Sequence, residues 1–562
     1  MRAIEPFLPR TRIAYFSMEM ALQPEMHTYS GGLGVLAGDT ARSCADLDLP
    51  VVFVTLASRE GYLRQEIDAA GRQIDHADPW EPGDWATPLG AMVALAIEGR
   101  QVWIRPWLHV LTCPVGHAVP VLLLDTRLEQ NDPADRAITD RLYGGDEAYR
   151  LKQEIVLGIG GERLLHALGF EIETYHLNEG HAALLTAALL RRHPHAGDRP
   201  AESALGFDAD QVRERCVFTT HTPVEAGHDR FGYALAERQL DLIPIDQLKL
   251  VAGADRLNMT RLALNLSGYV NGVALRHAET TRQMFPGYRI RAVTNGVHVP
   301  SWAHPAFGRL FQGMAPDWGH DPEQLAIADQ LPDADVSAAH NEAKSELIAE
   351  VKLRTGFQLQ PDLPLLAFAR RMTGYKRADL IFTDPERLRA IHRRHPFQIV
   401  MAGKAHPRDE GGKVLIQRLH ACLRELPDIP MAFLPGYDMA LARSLVSGAD
   451  VWLNTPLPPM EASGTSGMKA AVNGVLNLSV LDGWWIEACI EGVTGWAIGM
   501  DDRRDDDDAL QLYEKLGNAV LPLYHEDRSR WVWMMKQAIS KIAPRFNSQR
   551  MMRRYASEAY LR

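Results

Sequence analysis

Short apolar runs alternate with stretches of helical periodicity along most of the chain, the pattern of an α/β protein built on parallel sheets. Arg12–Glu19 (RIAYFSME) predicts a buried strand and Leu49–Leu56 (LPVVFVTL) the next one. Between them, Tyr29–Asp39 (YSGGLGVLAGD) puts Gly31, Gly32 and Gly34 where a strand hands over to a helix beginning near Val35. Turns of this kind open doubly wound sheets and bind anions. The strict GxGxxG spacing is absent, so no dinucleotide is implied, and a tight turn packed against a neighbour accounts for the same glycines. Gly61–Asp125 holds several strand-like runs (AMVALAIEG, QVWIRPWLHV, AVPVLLLD) and reads as a β-rich elaboration. Arg141–Gly169 has helical spacing, Thr174–Leu177 predicts a strand and Asn178–Leu190 the helix after it. Cys216–Phe231 and Arg289–Trp302 each repeat a strand followed by a polar turn.

Pro316–Asp335 lacks periodicity and reads as a linker, followed by a helix over Val336–Thr355. A second strand series then begins at Pro364–Arg371 and continues through Phe397–Gly403, Pro430–Leu434, Asp450–Asn454, Gly474–Val480 and Thr494–Ile498, with helical segments between. Two doubly wound domains are expected, residues 1–335 and 336–530. The helical, basic-amphipathic tail 531–562 is expected to pack back on the first. The charge run Asp501–Asp508 (DDRRDDDD) is expected to be a solvated loop without chemistry.

Composition narrows the function. The 562 residues carry a net charge of −11 with no dense basic stripe, which argues against nucleic acid as partner. Five scattered cysteines form no CxxC pair, which fits a reducing cytoplasm. The first residues, MRAIEPFLPRTR, lack the apolar core of a signal peptide, and no apolar run is long enough to span a membrane. The segment HLNEGH puts His176 and His181 five residues apart, on different faces of a helix, whereas helical zinc motifs use a spacing of four. No metal site is therefore expected. A polar cluster at the carboxyl end of a strand suits a ligand crevice instead.

The richest chemistry lies in Pro459–Glu487. There a carboxylate, Glu461, precedes a loop of small residues (Ala462 to Gly467), and Lys469 follows in the first turns of a helix. Small residues let backbone N–H groups approach a phosphate, and a lysine beside that cradle can form a Schiff base with a phosphorylated cofactor. Taken alone, a glycine-rich turn with a surface lysine accounts for the stretch equally well. Arg370, Arg371, Lys376 and Arg377 crowd the end of the strand before them, in ARRMTGYKR, and Lys404 and Tyr437 end the next two strands. One phosphate does not need so many cations, whereas two side by side do. His221 ends another apolar run, where a lone histidine is by default a satisfied buried one.

In their order, these motifs resemble the α-glucan phosphorylases (glycogen, starch and maltodextrin phosphorylases). EASGTSGMK is similar to that family's cofactor-lysine motif. SGGLG, LNEGH, THT (Thr220–Thr222), TNG (Thr294–Gly296), YKR (Tyr375–Arg377) and GKAHP (Gly403–Pro407) also have counterparts, over roughly Tyr15 to Glu487. The resemblance implies the GT-B architecture, two Rossmann-like domains facing across a cleft, and a pyridoxal 5'-phosphate cofactor. It further implies reversible, retaining transfer of the non-reducing-end glucosyl unit of an α-1,4-glucan to inorganic phosphate, giving glucose 1-phosphate. Lys469 would carry the cofactor, and Thr465, Ser466, Arg370 and Tyr437 would surround its phosphate. Arg371, Lys376 and Gly32 would hold the substrate phosphate. Glu461, Ser463, Gly464, Asn295 and His221 would bind the glucosyl hydroxyls, with Leu33 nearby. Dimerisation is a further family expectation.

Arg370 stands where the animal and plant enzymes usually carry lysine, and Ser466-Gly467 replaces Gly-Asn. Both exchanges resemble the shorter bacterial and archaeal branch. Regulation through the N-terminal extension of the animal enzymes is not expected, because Arg12–Glu19 begins almost at once. Two other functions share much of this pattern. A GT-B transferase using a nucleotide sugar would need the anion site but not Lys469. A non-catalytic glucan-binding relative would need neither.

Overall fold

Strands that are apolar at every position, rather than at alternate ones, must be covered on both faces. The computed structural model, which describes residues 3–195, 204–499 and 505–561, shows this for both strand series. The first builds a ten-stranded sheet and the second a six-stranded sheet. Val51–Leu56, Leu365–Ala369 and Met431–Leu434 are buried along their whole length.

In the first sheet the parallel order is Ile290–Ala292, Tyr269–Gly272, Cys216–Thr219, Thr174–Asn178, Ile13–Ser17, Val51–Leu56, Ala118–Asp125. Ile13 pairs with Val51 on one side and with Thr174 on the other. The chain therefore winds outward from Ile13–Ser17 in one direction and later returns to its other flank. In the second sheet the order is Met431–Leu434, Gln398–Ala402, Leu365–Ala369, Val451–Asn454, Leu476–Val480, Gly495–Ile498, all parallel. Winding reverses there between Leu365–Ala369 and Val451–Asn454. Open parallel sheets bind ligands outside the carboxyl ends of their strands at such reversals. In this chain the two reversals fall at Glu19 with the glycine loop and at Arg370 with Asn454.

Several expectations shift. The β-rich region is not a separate layer, because Ala118–Asp125 pairs in parallel with Val51–Leu56 and Arg100–Thr112 extends the same sheet antiparallel. The helix expected from Val35 begins at Gly32. The helix expected over Arg141–Gly169 begins at Glu147, and the supposed linker contains a 3₁₀ helix at Pro322–Gln330. Val297, Trp302, Phe307, Phe311 and Leu331 pack into the core around the second sheet, as do Ala21 and Val35. The tail divides too. Helix Arg528–Ile542 buries Trp531, Met535 and Ile539 in that same core, while Met551, Met552 and Tyr555 of helix Ser548–Tyr555 join the core of the first sheet. Asp508 is buried and pairs with Arg377 at 2.6 Å, so the end of the charge run is a structural anchor; residues 501–504 lie outside the described part.

A two-stranded hairpin, Arg64–Ile67 with Gln73–His76, reaches from the first lobe to the second. Gln65 Nε2 donates to the Gly403 carbonyl at 2.8 Å and its Oε1 accepts the Gly436 N–H at 2.9 Å. Gln73 Nε2 donates to the Ala405 carbonyl and its Oε1 accepts the Ala405 N–H, both at 2.9 Å. Lys404 Nζ donates to the Leu63 carbonyl at 3.0 Å. On the opposite edge Glu487 accepts the Leu275 N–H at 2.9 Å and the Thr294 hydroxyl at 2.8 Å. Among the described residues no helix is long and apolar enough to cross a membrane.

Candidate active site

From the first sheet, the strand Ile13–Ser17 ends two residues before Glu19, a buried carboxylate. Its Oε2 accepts the backbone N–H groups of Ser30 (2.6 Å) and Gly31 (3.1 Å), and its Oε1 accepts the Tyr143 hydroxyl at 2.9 Å. Glu19 thereby fixes the glycine loop. The three glycines of that loop serve different ends. A Cβ on Gly34 would lie 2.7 Å from Glu19 Oε2 and 2.8 Å from Tyr29 Cβ, whereas on Gly31 or Gly32 it would meet no protein atom within 4 Å. Packing demands a glycine only at Gly34, and the surface over Gly31 and Gly32 is open to a ligand. Gly34→Ala is accordingly expected to lower the melting temperature by several degrees. Gly32→Ala is expected to leave it unchanged, so thermal unfolding separates the two positions.

His221 follows the strand Cys216–Thr219. Its Nε2 faces Asn178 Oδ1 at 2.6 Å, and its backbone N–H donates to Glu179 Oε2 at 2.7 Å. Burial pushes the imidazole down to about 3, so it is neutral near pH 7. Glu179 has φ 74° and ψ 171°, a conformation that ordinarily belongs to glycine and costs about 1–3 kcal/mol elsewhere. Its carboxylate also accepts the Thr222 hydroxyl at 2.9 Å, which holds the His221 turn in place. The two histidines of HLNEGH diverge. His176 bonds Tyr560 and Thr219 inside the first lobe, while His181 faces Asp229 at 3.5 Å. Asn295, beyond the strand Ile290–Ala292, buries an Oδ1 that has no partner among the described residues.

From the second sheet, Arg370 follows Leu365–Ala369 and donates through Nη1 to Asn454 Oδ1, across the winding reversal. Its Nη2 lies 2.6 Å from Glu461 Oε2, and Lys376 Nζ lies 2.5 Å from the same oxygen. All three side chains are buried. Burial alone would raise the Glu461 carboxyl, but the two cations overcome it and hold the group at about 2. A depressed carboxyl contributes stability above its unfolded value of about 4.3, and that contribution is lost as pH falls toward about 2. The drop in urea midpoint from about pH 6 to about pH 3 is therefore expected to be smaller in Glu461→Gln than in the unaltered protein.

Arg371, next along, is reached by water although protein surrounds it, and it faces Tyr375, Tyr62 and Glu19. Burial raises the Tyr437 phenol, with Arg370 pulling the other way, which places these two side chains together. Gly464 has φ 86° and lies against Glu461, and Ser463 buries a hydroxyl with no partner among the described residues. Thr465 precedes the short helix Ser466–Val472, and the Ser466 hydroxyl accepts the Trp452 indole N–H at 3.1 Å. No described contact joins Thr465 or Ser466 to Arg370 or Tyr437. Lys469 lies in that helix, buried, with Nζ 3.8 Å from the centre of the Trp302 ring and no hydrogen bond or ion pair among the described residues. Burial pulls its amine down to about 8, with Asp39 opposing and Arg443 assisting. Glu19, Asp39 and Trp302 escape the motif-based reading, which reaches Glu179 only as part of LNEGH. Glu19 carries one signal, a carboxylate just beyond a strand and ahead of the glycine loop.

The site thus has an acidic, hydroxyl-lined face, a buried ionised carboxylate clamped by two cations, and an amine whose ammonium form burial disfavours. The model of the carbohydrate phosphorylase family matches residues 174–495. Maltodextrin phosphorylase of Thermococcus litoralis is 38% identical over 98% of this chain and 70% of its own length. The chain belongs to the carbohydrate phosphorylase family. Glycogen phosphorylases of Mycobacterium tuberculosis (37% identical, 98% of this chain, 71% of theirs) and of Aquifex aeolicus (36%, 98% and 86%) are similar to this family member to nearly the same degree.

Proposed function

We propose that this phosphorylase catalyses reversible, retaining phosphorolysis of α-1,4-glucan, releasing glucose 1-phosphate from the non-reducing end with pyridoxal 5'-phosphate as cofactor. Family membership supports a glucan phosphorylase. The observation that supports the cofactor is Lys469, a buried amine without an ion-pair partner among the described residues, beside a site walled by cations. The orphaned Ser463 Oγ and Asn295 Oδ1 and the open surface over Gly31 and Gly32 also fit bound ligands.

In this reading Lys469 holds the cofactor covalently, and Arg370, Tyr437, Thr465 and Ser466 hold its phosphate. The bound cofactor supplies a phosphate that exchanges a proton with the substrate phosphate. Arg371 and Lys376 bind the substrate phosphate, with Gly32 giving it backbone access. Two phosphates in contact repel, and preorganised cations in a site shielded from water offset that repulsion. Glu461, ionised and already paired with cations, accepts hydrogen bonds from sugar hydroxyls and is not a nucleophile, unlike the carboxylate pairs of glycoside hydrolases. Neutral His221 with its Nε2 turned to Asn178, together with Asn295, Ser463 and Gly464, orients the sugar, and Leu33 lies beside them. Sites drawn from both lobes fit a glucan held in the cleft.

Maltodextrin plus inorganic phosphate is expected to yield glucose 1-phosphate, measured by coupled oxidation. Transfer from a nucleotide sugar with no phosphate-dependent product would point to the synthase-type reaction. Glucan binding with neither product would mark a non-catalytic protein.

A further inference from the structure

Trp302 stands between the two lobes under Lys469. It follows the last strand of the first sheet and packs into the core of the second. Two contacts fix it, and a third ties its partner to Lys469. Its indole N–H donates to Asp39 Oδ2 at 2.8 Å, its carbonyl accepts from Asn473 Nδ2 at 2.9 Å, and Asn473 Nδ2 also reaches the Lys469 carbonyl at 3.1 Å. Asp39 is carried by the glycine-loop helix Gly32–Asp46 and also accepts the His298 N–H at 3.2 Å. On the other side, the Arg443 guanidinium from helix Met439–Gly448 lies 5.9 Å from the centre of the same indole ring. Arg443 Nε is buried with no partner among the described residues, so this guanidinium acts here by charge more than by a hydrogen bond from that nitrogen. The Lys469 amine on the ring face therefore shares the indole with one anion, held by two N–H donors, and one cation. Two more charged groups belong to this cluster: Arg42, 3.8 Å from Asp39, and Asp46, whose Oδ2 lies 2.8 Å from His298 Nε2.

We propose that Asp39 and Arg443 are positioning residues for Lys469: flanking the Trp302 indole on which the amine rests, they hold it in place and set the balance between its ammonium and free-amine forms. The inference rests on the reading of Lys469 as the cofactor-bearing lysine. Imine formation joins the amine nitrogen to the aldehyde carbon and expels the aldehyde oxygen as water, and only the unprotonated amine has the lone pair to begin it. A nearby carboxylate favours the ammonium and a nearby guanidinium the free amine, which agrees with the opposing effects of the two groups on Lys469. The acid side comes from the first lobe and the basic side from the second, so the amine is set correctly only when both lobes are in register.

The test uses full-length protein stripped of cofactor and mixed with pyridoxal phosphate. The rate at which its absorbance band forms is followed from mildly acid to alkaline pH. Asp39→Asn, which keeps the hydrogen-bond acceptor, is expected to move the midpoint of that profile down by roughly one pH unit, and Arg443→Gln to move it up. Titration of the cofactor itself is common to all variants and cancels in the comparison. A shift in the stated direction in each soluble variant supports the proposal. A midpoint unmoved within about 0.2 unit, or moved the other way, in either variant overturns it. Should Asp39→Asn not fold, Arg443→Gln decides alone. Borohydride fixing the cofactor on Lys469→Ala as well would instead remove the lysine assignment itself, an outcome independent of both midpoints.

Discussion

Lys469→Ala yields a folded protein that retains no pyridoxal phosphate and releases no glucose 1-phosphate. The two halves of that expectation have separate physical grounds. The side chain is buried and makes no ion pair among the described residues, so its removal leaves no buried charge behind. What is lost is the contact with the Trp302 face, about 2 kcal/mol at most, and it is offset by relief of the desolvation that holds the amine near 8. Folding therefore survives. Activity does not, because the covalent tether has no substitute in the site. A fall of at least about 10³-fold, or about 4 kcal/mol in the barrier, is expected. Absorbance and mass after borohydride treatment read the cofactor, and thermal unfolding reads the fold. A variant that keeps the band while remaining active would refute the assignment.

Arg371→Ala is expected to cost about 3 kcal/mol in the use of phosphate, roughly a 10²-fold fall in kcat/KM for that substrate. Water reaches Arg371, and no ion pair or hydrogen bond ties it to Glu461, so the clamp formed by Arg370 and Lys376 stays intact without it. Stability should thus change little, and KM for maltodextrin should change less than KM for phosphate. Lys376 offers the contrast. Its loss also strips one of two cations from a buried carboxylate, so Lys376→Ala should lower the urea midpoint as well as the rate. Initial rates at varied phosphate with glucan saturating, alongside denaturation curves, check both. An unchanged phosphate dependence in Arg371→Ala would contradict its role.

Much of this organisation is legible in the chain because it is local. Unbroken apolar runs mark strands covered on both faces, and Leu365–Ala369 and Cys216–Thr219 end two residues short of the ends read from the sequence, at Arg371 and His221. What sequence leaves unread is settled over long distances. Nothing near Glu461 announces that its partners are Arg370 and Lys376, nor does the acidic run around Asp508 announce Arg377. The glycines of SGGLG look alike on paper, yet only Gly34 is demanded by packing, because the atoms it would strike belong to Glu19 and Tyr29. Asp39 and Trp302 sit inside runs that read as ordinary helix and turn. Their meaning depends on a lysine hundreds of residues away. The segment around Pro316–Asp335 misleads for a related reason, since proline and acid content suggests a spacer while Leu325 and Leu331 are captured by a core built from later sequence.

The hairpin that carries Gln65 and Gln73 has a mechanical consequence. Both amides bond backbone groups of Gly403, Ala405 and Gly436 as well as each other, while Glu487 ties the far rim to Leu275 and Thr294. Gaping like a jaw to admit a polymer would have to break the contacts at both margins of this bilobal enzyme. Entry of a sugar polymer endwise leaves both sets of contacts intact. A long glucan would then thread in by its tip, which suits an enzyme that trims one terminal residue at a time.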